Sequence, residues 1–353
     1  GVYCASSDPT ITNSTFRYNI DGVEADGSSS PILSGNTFTS NQYPVKIYGN
    51  EIDGNLYDNT YQDNMLPDSS LSDYIYVYGE GSSGQTEFFQ GNKTYHWLRD
   101  GAPYRLTDHI YIHGDNNDSY LTTLKIYPQT IISIEQDRYI WVGHTDNGNY
   151  NGALQADSVT FTSTDTSQKF GSISFNSHSI DEESYLDNCV IEYANDGVYC
   201  ASSDPTITNS TFRYNADGVE ADEGASPTLT GNTFIENSHP VTIYAARIDS
   251  NLYDNTYLDN TNNYIEVQHD YLDEGRTYDW LADGAPYVIV GDVYVQRGNH
   301  PSEVSILKIH PGTVVKFGSG VHLYVGNSDN DHYRGALQAD GVTFTRLSEE
   351  GYW

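Results

Sequence analysis

Nineteen residues, Gly1-Val-Tyr-Cys-Ala-Ser-Ser-Asp-Pro-Thr-Ile-Thr-Asn-Ser-Thr-Phe-Arg-Tyr-Asn19, recur unchanged at 197–215. A self-match of this length is a tandem duplication, so the chain has to fold as copies of one unit. The match continues with substitutions: 21–26 answers 217–222 and 55–61 answers 251–257, both at a shift of 196. Extra residues after Asn64 in the first copy reduce the shift to 183, at which 97–104 answers 280–287 and 152–157 answers 335–340. This phasing predicts two tandem units of about 190 residues in one continuous solenoid. Residues 1–64 are the back half of a unit, 65–260 a complete unit with a loop excursion at about 66–91, and 261–353 a front half. Within the excursion, 74–78 alternates as a further strand does.

A shorter period runs inside each unit. Thr206-Ile-Thr-Asn-Ser-Thr-Phe212 is echoed twenty-two residues later by Thr228-Leu-Thr-Gly-Asn-Thr-Phe234. On spacings of 21 and then 22 residues Val198 aligns with Val219 and Val241, and Cys200 with Ala221 and Ile243. Tyr199, Glu220 and Thr242 fall between these apolar positions, giving the period-2 alternation of a strand with one buried face. Short strands bounded by Gly, Asn, Asp and Ser, returning at a fixed interval, predict coils stacked on one another. No window of about eleven residues keeps the apolar face of an amphipathic helix. The expected class is all-β.

These phrases resemble a known superfold. Ser202-Ser-Asp-Pro-Thr-Ile-Thr-Asn-Ser-Thr-Phe-Arg-Tyr-Asn-Ala-Asp-Gly-Val-Glu-Ala-Asp222 is similar to the coil phrases of right-handed parallel β-helix repeat proteins, the pectate-lyase-like superfold. The segment 284–345 resembles the opening coils of the same class in large microbial surface proteins. The resemblance covers essentially the whole chain and implies the fold. It leaves function open, because this superfold hosts lyases, glycosidases, adhesins and inert fibres.

Charge narrows the partners. Acidic residues outnumber basic ones 49 to 16, a formal charge of −33, which repels nucleic acid and anionic membranes and attracts cations. An aromatic content of 13% argues against disorder. No run of about 18 apolar residues is present to span a membrane. The chain begins without Met or an apolar leader, which reads as a processed or excised protein.

The acidic residues that converge best are Asp217, Glu220 and Asp222, with Asp196 one coil earlier; their twins are Asp21, Glu24 and Asp26. The resemblance implies that a lyase of this fold would pair such carboxylates, holding calcium, with an Arg or Lys base. Arg213 is the basic residue near in sequence, and a solvated acidic face is the plainer reading. Calcium suits the chain better than catalysis. The loop around Asp329 and Asp331 offers alternating oxygen side chains, and its twin keeps Asp146, as hard-cation loops do; an ordinary Asn/Asp/Gly turn explains both equally. Cys200 and Cys4 fall at inward positions, as small buried hydrophobes do. Cys189 lies half a coil before Cys200, a spacing that leaves a disulfide to geometry. Haem-attachment and zinc patterns are absent. Sequons place glycans at Asn13, Asn92, Asn117 and Asn209; turn stacking also explains Asn13 and Asn209. The 31 tyrosines suit outer-face ladders, which sugar-binding surfaces also use.

The sequence thus reads as a non-enzymatic extracellular structural protein with no cofactor beyond calcium. Copies are expected to stack head to tail into a surface filament or sheath, with surface polysaccharide as a further partner. A carbohydrate-binding or polysaccharide-degrading β-helix, or an adhesin arm, is the alternative.

Overall fold

The structure, a computed structural model, describes residues 1–79, 89, 91–114, 119–144, 150–297, 303–326 and 334–348. Alternation of apolar and polar residues produces strands of two to seven residues. Each lies parallel to its counterpart one coil on, as in Val198↔Val219 and Val219↔Val241. The fold is a right-handed parallel β-helix. Compactness divides the chain into Gly1–Asn195 and Asp196–Trp353.

In the first unit one wall contains Val2–Cys4, Asp21–Ala25, Tyr43–Tyr48, Ile75–Tyr78 and Tyr104–Leu106. A second wall stacks Thr94–Trp97, Thr122–Ile126, Gly152–Asp157 and Tyr185–Asp187, and a third includes Ile110–Ile112, Ile140–Val142 and Phe170–Phe175. The strand Ile75–Tyr78, inside the stretch read as an excursion, is a full member of the first wall. It pairs with Tyr43–Tyr48 and Tyr104–Leu106 and buries Ile75 and Val77 completely. Residues 80–88 and 90 of that stretch lie outside the described residues. In the second unit Asp217–Ala221, His239–Tyr244, Ile265–Gln268, Tyr287–Ile289 and Val314–Phe317 form the corresponding wall.

The interior of each unit is built from identical residues placed one above another. Phe16, Phe38 and Tyr61 stack at 5.0 and 5.1 Å, and Phe212, Phe234 and Tyr257 at 5.0 and 5.2 Å. Each fully buried ring contributes about 1.5–3 kcal/mol. At the corners the backbone leaves the ladder, and its N–H groups need other acceptors. Asparagine supplies them: Asn41 Oδ1 accepts from the Asn19 N–H, and Asn64 Oδ1 from the Asn41 N–H. A parallel column runs from Asn36 to Asn59 and ends on Asp100, which also accepts from the Tyr61 hydroxyl at 3.0 Å. Asn232, Asn255 and Asp283 repeat it in the second unit. Asn13 and Asn209 belong to neither column. They are turn residues with φ of 49° and 50°, and a Cβ on Gly35 or Gly231 would meet their Oδ1 atoms at 2.7 or 2.9 Å.

Cys4, Cys189 and Cys200 are buried thiols, so the Cys189–Cys200 bridge left open by their spacing is not made. Cys189 sits in a turn and donates to the carbonyls of Ala156 and Asp187 at 3.6 and 3.3 Å, whereas Cys200 ends a strand of another sheet. Burial pushes the Cys189 thiol up to about 12, which keeps it unreactive.

Candidate metal centre

Parallel in-register pairing makes columns of side chains about 4.8 Å apart along a wall. In the second unit one column is Asp196, Asp217, His239, and the column beside it is Tyr199, Glu220, Thr242, Glu266. Strict alternation is broken here: Gly218 and Val219 are both buried, and the half-buried Asp217 and Glu220 flank them. Asp196, Asp217 and Glu220 each bring one carboxylate oxygen within 4.8 Å of the other two, and all three are half-buried. His239 Nδ1 lies 3.2 Å from Asp217 Oδ1. Glu266, one coil beyond, accepts from Gln268 Nε2 at 2.8 Å.

Four carboxylates without a Lys or Arg between Tyr199 and Glu266 in the stack make ionisation unfavourable; the column reaches a cation, Lys316, two coils beyond Glu266. Burial, followed by the charges of Glu220 and Asp217, raises the Asp196 carboxyl from 3.8 to about 7. Asp217 is raised by burial, against the lowering effect of His239. Glu220 is raised by burial and then by Asp217 and Glu266. The solvated acidic face expected from sequence is therefore a partly desolvated cluster in which like charges oppose one another.

The first copy carries the same Asp-Gly-Val-Glu-Ala motif with a different solution. There the columns read Asp21, Tyr43 and Tyr3, Glu24, Lys46, Tyr76, Arg105. Lys46 takes the place of Thr242, and its Nζ is 2.6 Å from Asp21 Oδ1 and 4.3 Å from the centre of the Tyr43 ring. Burial alone would lower the Lys46 ammonium, but the hydrogen bond to Asp21 and the charges of Tyr78, Asp21 and Glu24 raise it. A cation is thus built into the chain in one copy, and the equivalent position of the other has none.

Asp222 stands apart from the cluster and closes a turn, accepting from the N–H groups of Ser202 and Gly224 at 3.0 and 2.8 Å. Its twin Asp26 does the same with Ser6, Ser28 and Ser29, and those bonds lower its carboxyl. Asp146, Asp329, Asp331 and Asn117 lie outside the described residues. Asn92 is exposed, and its Oδ1 accepts from the Leu121 N–H at 3.2 Å. His239, which pairs with Asp217, and Glu266, whose charge reaches Glu220, went unnoticed in the sequence. The signal was the coil spacing, which places His239 twenty-two residues after Asp217.

The family model for the periplasmic copper-binding protein (NosD) matches residues 99–305, more than half of the chain. The chain belongs to the NosD family. The model of the right handed beta helix region also matches residues 1–93, which agrees with the coils seen before the NosD match. Comparison with curated proteins and with solved structures gives no match. The NosD match spans Asp196, Asp217, Glu220, His239 and Glu266, whereas Asp21, Glu24 and Lys46 precede it.

Proposed function

We propose that this NosD-family protein is a non-enzymatic structural β-helix of the cell envelope or surface that binds a divalent cation at Asp196, Asp217 and Glu220. The observation that carries the reading is the Lys46 ammonium, which marks in the first copy the place where this surface takes a positive charge. Three carboxylates form an oxygen-dominated set, which suits a hard ion such as calcium. Copper, named in the family's description, prefers sites richer in imidazole, and the strands of this centre supply one, His239. His239 with two carboxylates would hold copper(II) as an N,O set, so copper is the competing ion in the test.

Glycoside hydrolysis is the reading we disfavour. One oxygen from each of the three carboxylates lies within 4.8 Å of the others, close enough to share a proton or a metal, and this supports the cation reading over a glycosidase pair. Sugar stacking finds no support in the tyrosine ladder either. Tyr271, Tyr294 and Tyr324 lie 4.8 and 4.7 Å apart at 16° and 7°, so their ring faces are occupied by one another. Duplication of whole coils supports a structural role, and head-to-tail stacking of copies belongs to the same proposal; sedimentation showing a monomer at every concentration removes that part.

Thermal unfolding with calcium tests the cation claim. At one hundred times Kd a single bound ion stabilises the folded state by about 2.7 kcal/mol. The expected result is a calcium-dependent rise in Tm that sodium at equal ionic strength does not reproduce and Asp196→Asn with Glu220→Gln removes. Equal responses to both salts leave only screening and overturn the proposal. A rise with copper(II) but not calcium, removed by Asp196→Asn with Glu220→Gln, assigns the centre to copper.

A further inference from the structure

The second unit carries a tyrosine in register on three successive coils. Tyr271, Tyr294 and Tyr324 are the central residues of Asp270–Leu272, Val293–Val295 and Leu323–Val325, which pair as Tyr271↔Tyr294 and Tyr294↔Tyr324. Their neighbours Leu272, Val293 and Val295 are buried, so the phenols stand on the outer face. Adjacent ring centres are 4.8 and 4.7 Å apart at 16° and 7°, a parallel stack at the short end of aromatic packing. Tyr271 is 45% and Tyr324 39% exposed, so a reagent in solution reaches the stack.

Proton acceptors flank the ladder. The Tyr294 hydroxyl donates to Asp292 Oδ2 at 3.5 Å. The His269 ring is 5.3 Å from that of Tyr271, and the His322 ring 5.4 Å from that of Tyr324. His269 Nδ1 is 2.6 Å from the Asp292 carbonyl oxygen, which only accepts. Nδ1 therefore carries the hydrogen, and Nε2 of the neutral ring bears the lone pair. Each phenol has a carboxylate or an imidazole beside it to take its proton.

The fold does not require three phenols. At the 183 shift sequence positions 88, 111 and 141 carry Phe, Tyr and Trp, and Tyr111 meets Trp141 at 65° instead of in parallel. Elsewhere in the first unit Tyr43 meets Tyr76 edge to face at 81°, and Tyr76 is only 3% exposed. Exposed, identical and parallel phenols are thus brought together by residues particular to the second unit.

We propose that Tyr271, Tyr294 and Tyr324 form an oxidative cross-linking site, at which hydrogen peroxide and a peroxidase-type catalyst join Tyr294 to a neighbour as dityrosine. Each phenol gives one electron to the oxidant and its hydroxyl proton to the adjacent acceptor. The radical left behind is shared between the oxygen and the ring carbons next to the one that bears it. Two such radicals on adjacent coils join through those carbons, and the hydrogens on them move to the oxygens, restoring both phenols. Two tyrosines and one hydrogen peroxide thus give one dityrosine and two waters. Holding both rings in one stack favours coupling within the chain over coupling between chains. The bond ties neighbouring coils together and restricts the unfolded chain as a disulfide does. The site shares no residue with the carboxylate centre and does not depend on it.

The test treats the full chain, at low concentration, with a haem peroxidase and hydrogen peroxide. Dityrosine fluorescence, a denaturing gel and mass spectrometry of the peptides follow the product. The expected product is a monomer with an intrachain cross-link, two hydrogens lighter, joining the peptide of Tyr294 to that of Tyr271 or Tyr324. It should also melt above the untreated chain. Tyr294→Phe keeps the ring and its stacking, so it should leave the circular dichroism unchanged and remove the cross-link. Tyr271→Phe and Tyr324→Phe should each leave the other bond. Tyr18→Phe, which removes a phenol that is 79% exposed, should leave the intrachain yield unchanged. No dityrosine in the wild type, cross-links only between chains, or an intrachain yield that survives Tyr294→Phe overturns the site. An unchanged Tm in the cross-linked chain overturns its role as a staple.

Discussion

The two Asp-Gly-Val-Glu-Ala coils have one sequence motif and one backbone, yet they are electrostatically opposite. In the first copy Asp21 and Glu24 share their face with Lys46 and Arg105; in the second Asp196, Asp217, Glu220 and Glu266 share theirs with one histidine. A parallel solenoid causes the difference. Because identical positions stack in register at about 4.8 Å, one substitution in one coil changes the surroundings of the coils on both sides. Lys46 against Thr242 and Tyr76 against Glu266 turn a neutralised column into an acidic one. A duplicated unit can thus keep its skeleton and gain a binding centre by losing a charge.

The largest effect expected from this comparison is on the first copy. Lys46→Met leaves Asp21 and Glu24 without their cation, and the protein should lose about 1.5–3 kcal/mol, the usual value of a hydrogen bond to a charged group. Denaturant unfolding measures it. A loss below about 0.5 kcal/mol would mean that the pair behaves as an exposed one and that Lys46 does not neutralise its column.

Next comes pH. Asp196 has a folded value of about 7 against an ordinary 3.8, so the folded chain holds a proton that the unfolded chain has released. Its contribution to stability is complete below about 3.8 and is lost as pH rises through about 7. Without calcium, Asp196→Asn should therefore melt above the wild type at pH 8, and the two curves should converge toward pH 4. Parallel curves over that range would show that Asp196 ionises normally. Saturating calcium should erase the difference by supplying the positive charge.

A smaller change is expected from Glu266→Gln, at the edge of the cluster. Removing one like charge should lower the Glu220 carboxyl toward its usual range, as side-chain NMR titration would show; an unmoved Glu220 breaks the second column. Asp222→Asn should do least. It weakens the turn through Ser202 and Gly224 by about 0.5–1.5 kcal/mol and leaves calcium affinity unchanged.

The sequence was most informative where the repeat is tightest. The spacing of 21 to 22 residues aligned Val198 with Val219 and Val241, and those are the observed partners. It put Asp196 a coil from Asp217 for the same reason. The burial of the cluster was not legible, because outward positions in a strand read as solvated until neighbouring coils are stacked on them. The strand expected at 74–78 was legible from its alternation and is seen as Ile75–Tyr78 with Ile75 and Val77 buried, although the polar residues around it made it read as part of an excursion. The asparagine columns were expected at Asn13 and Asn209 and run instead through neighbours such as Asn36 and Asn232, because the αL turn residue points its amide at a glycine.

The direct measurement of the central claim is calcium titration calorimetry on the wild type and on Thr242→Lys, which grafts the first copy's cation onto the second. The first copy shows that this coil accommodates a lysine, so the variant should fold and its ammonium should occupy the face shared by Asp217 and Glu220. The account predicts one calcium per chain in the wild type and a loss of affinity of at least about tenfold in the variant, the equivalent of about 1.4 kcal/mol. Unchanged calcium binding in a folded Thr242→Lys protein would contradict it.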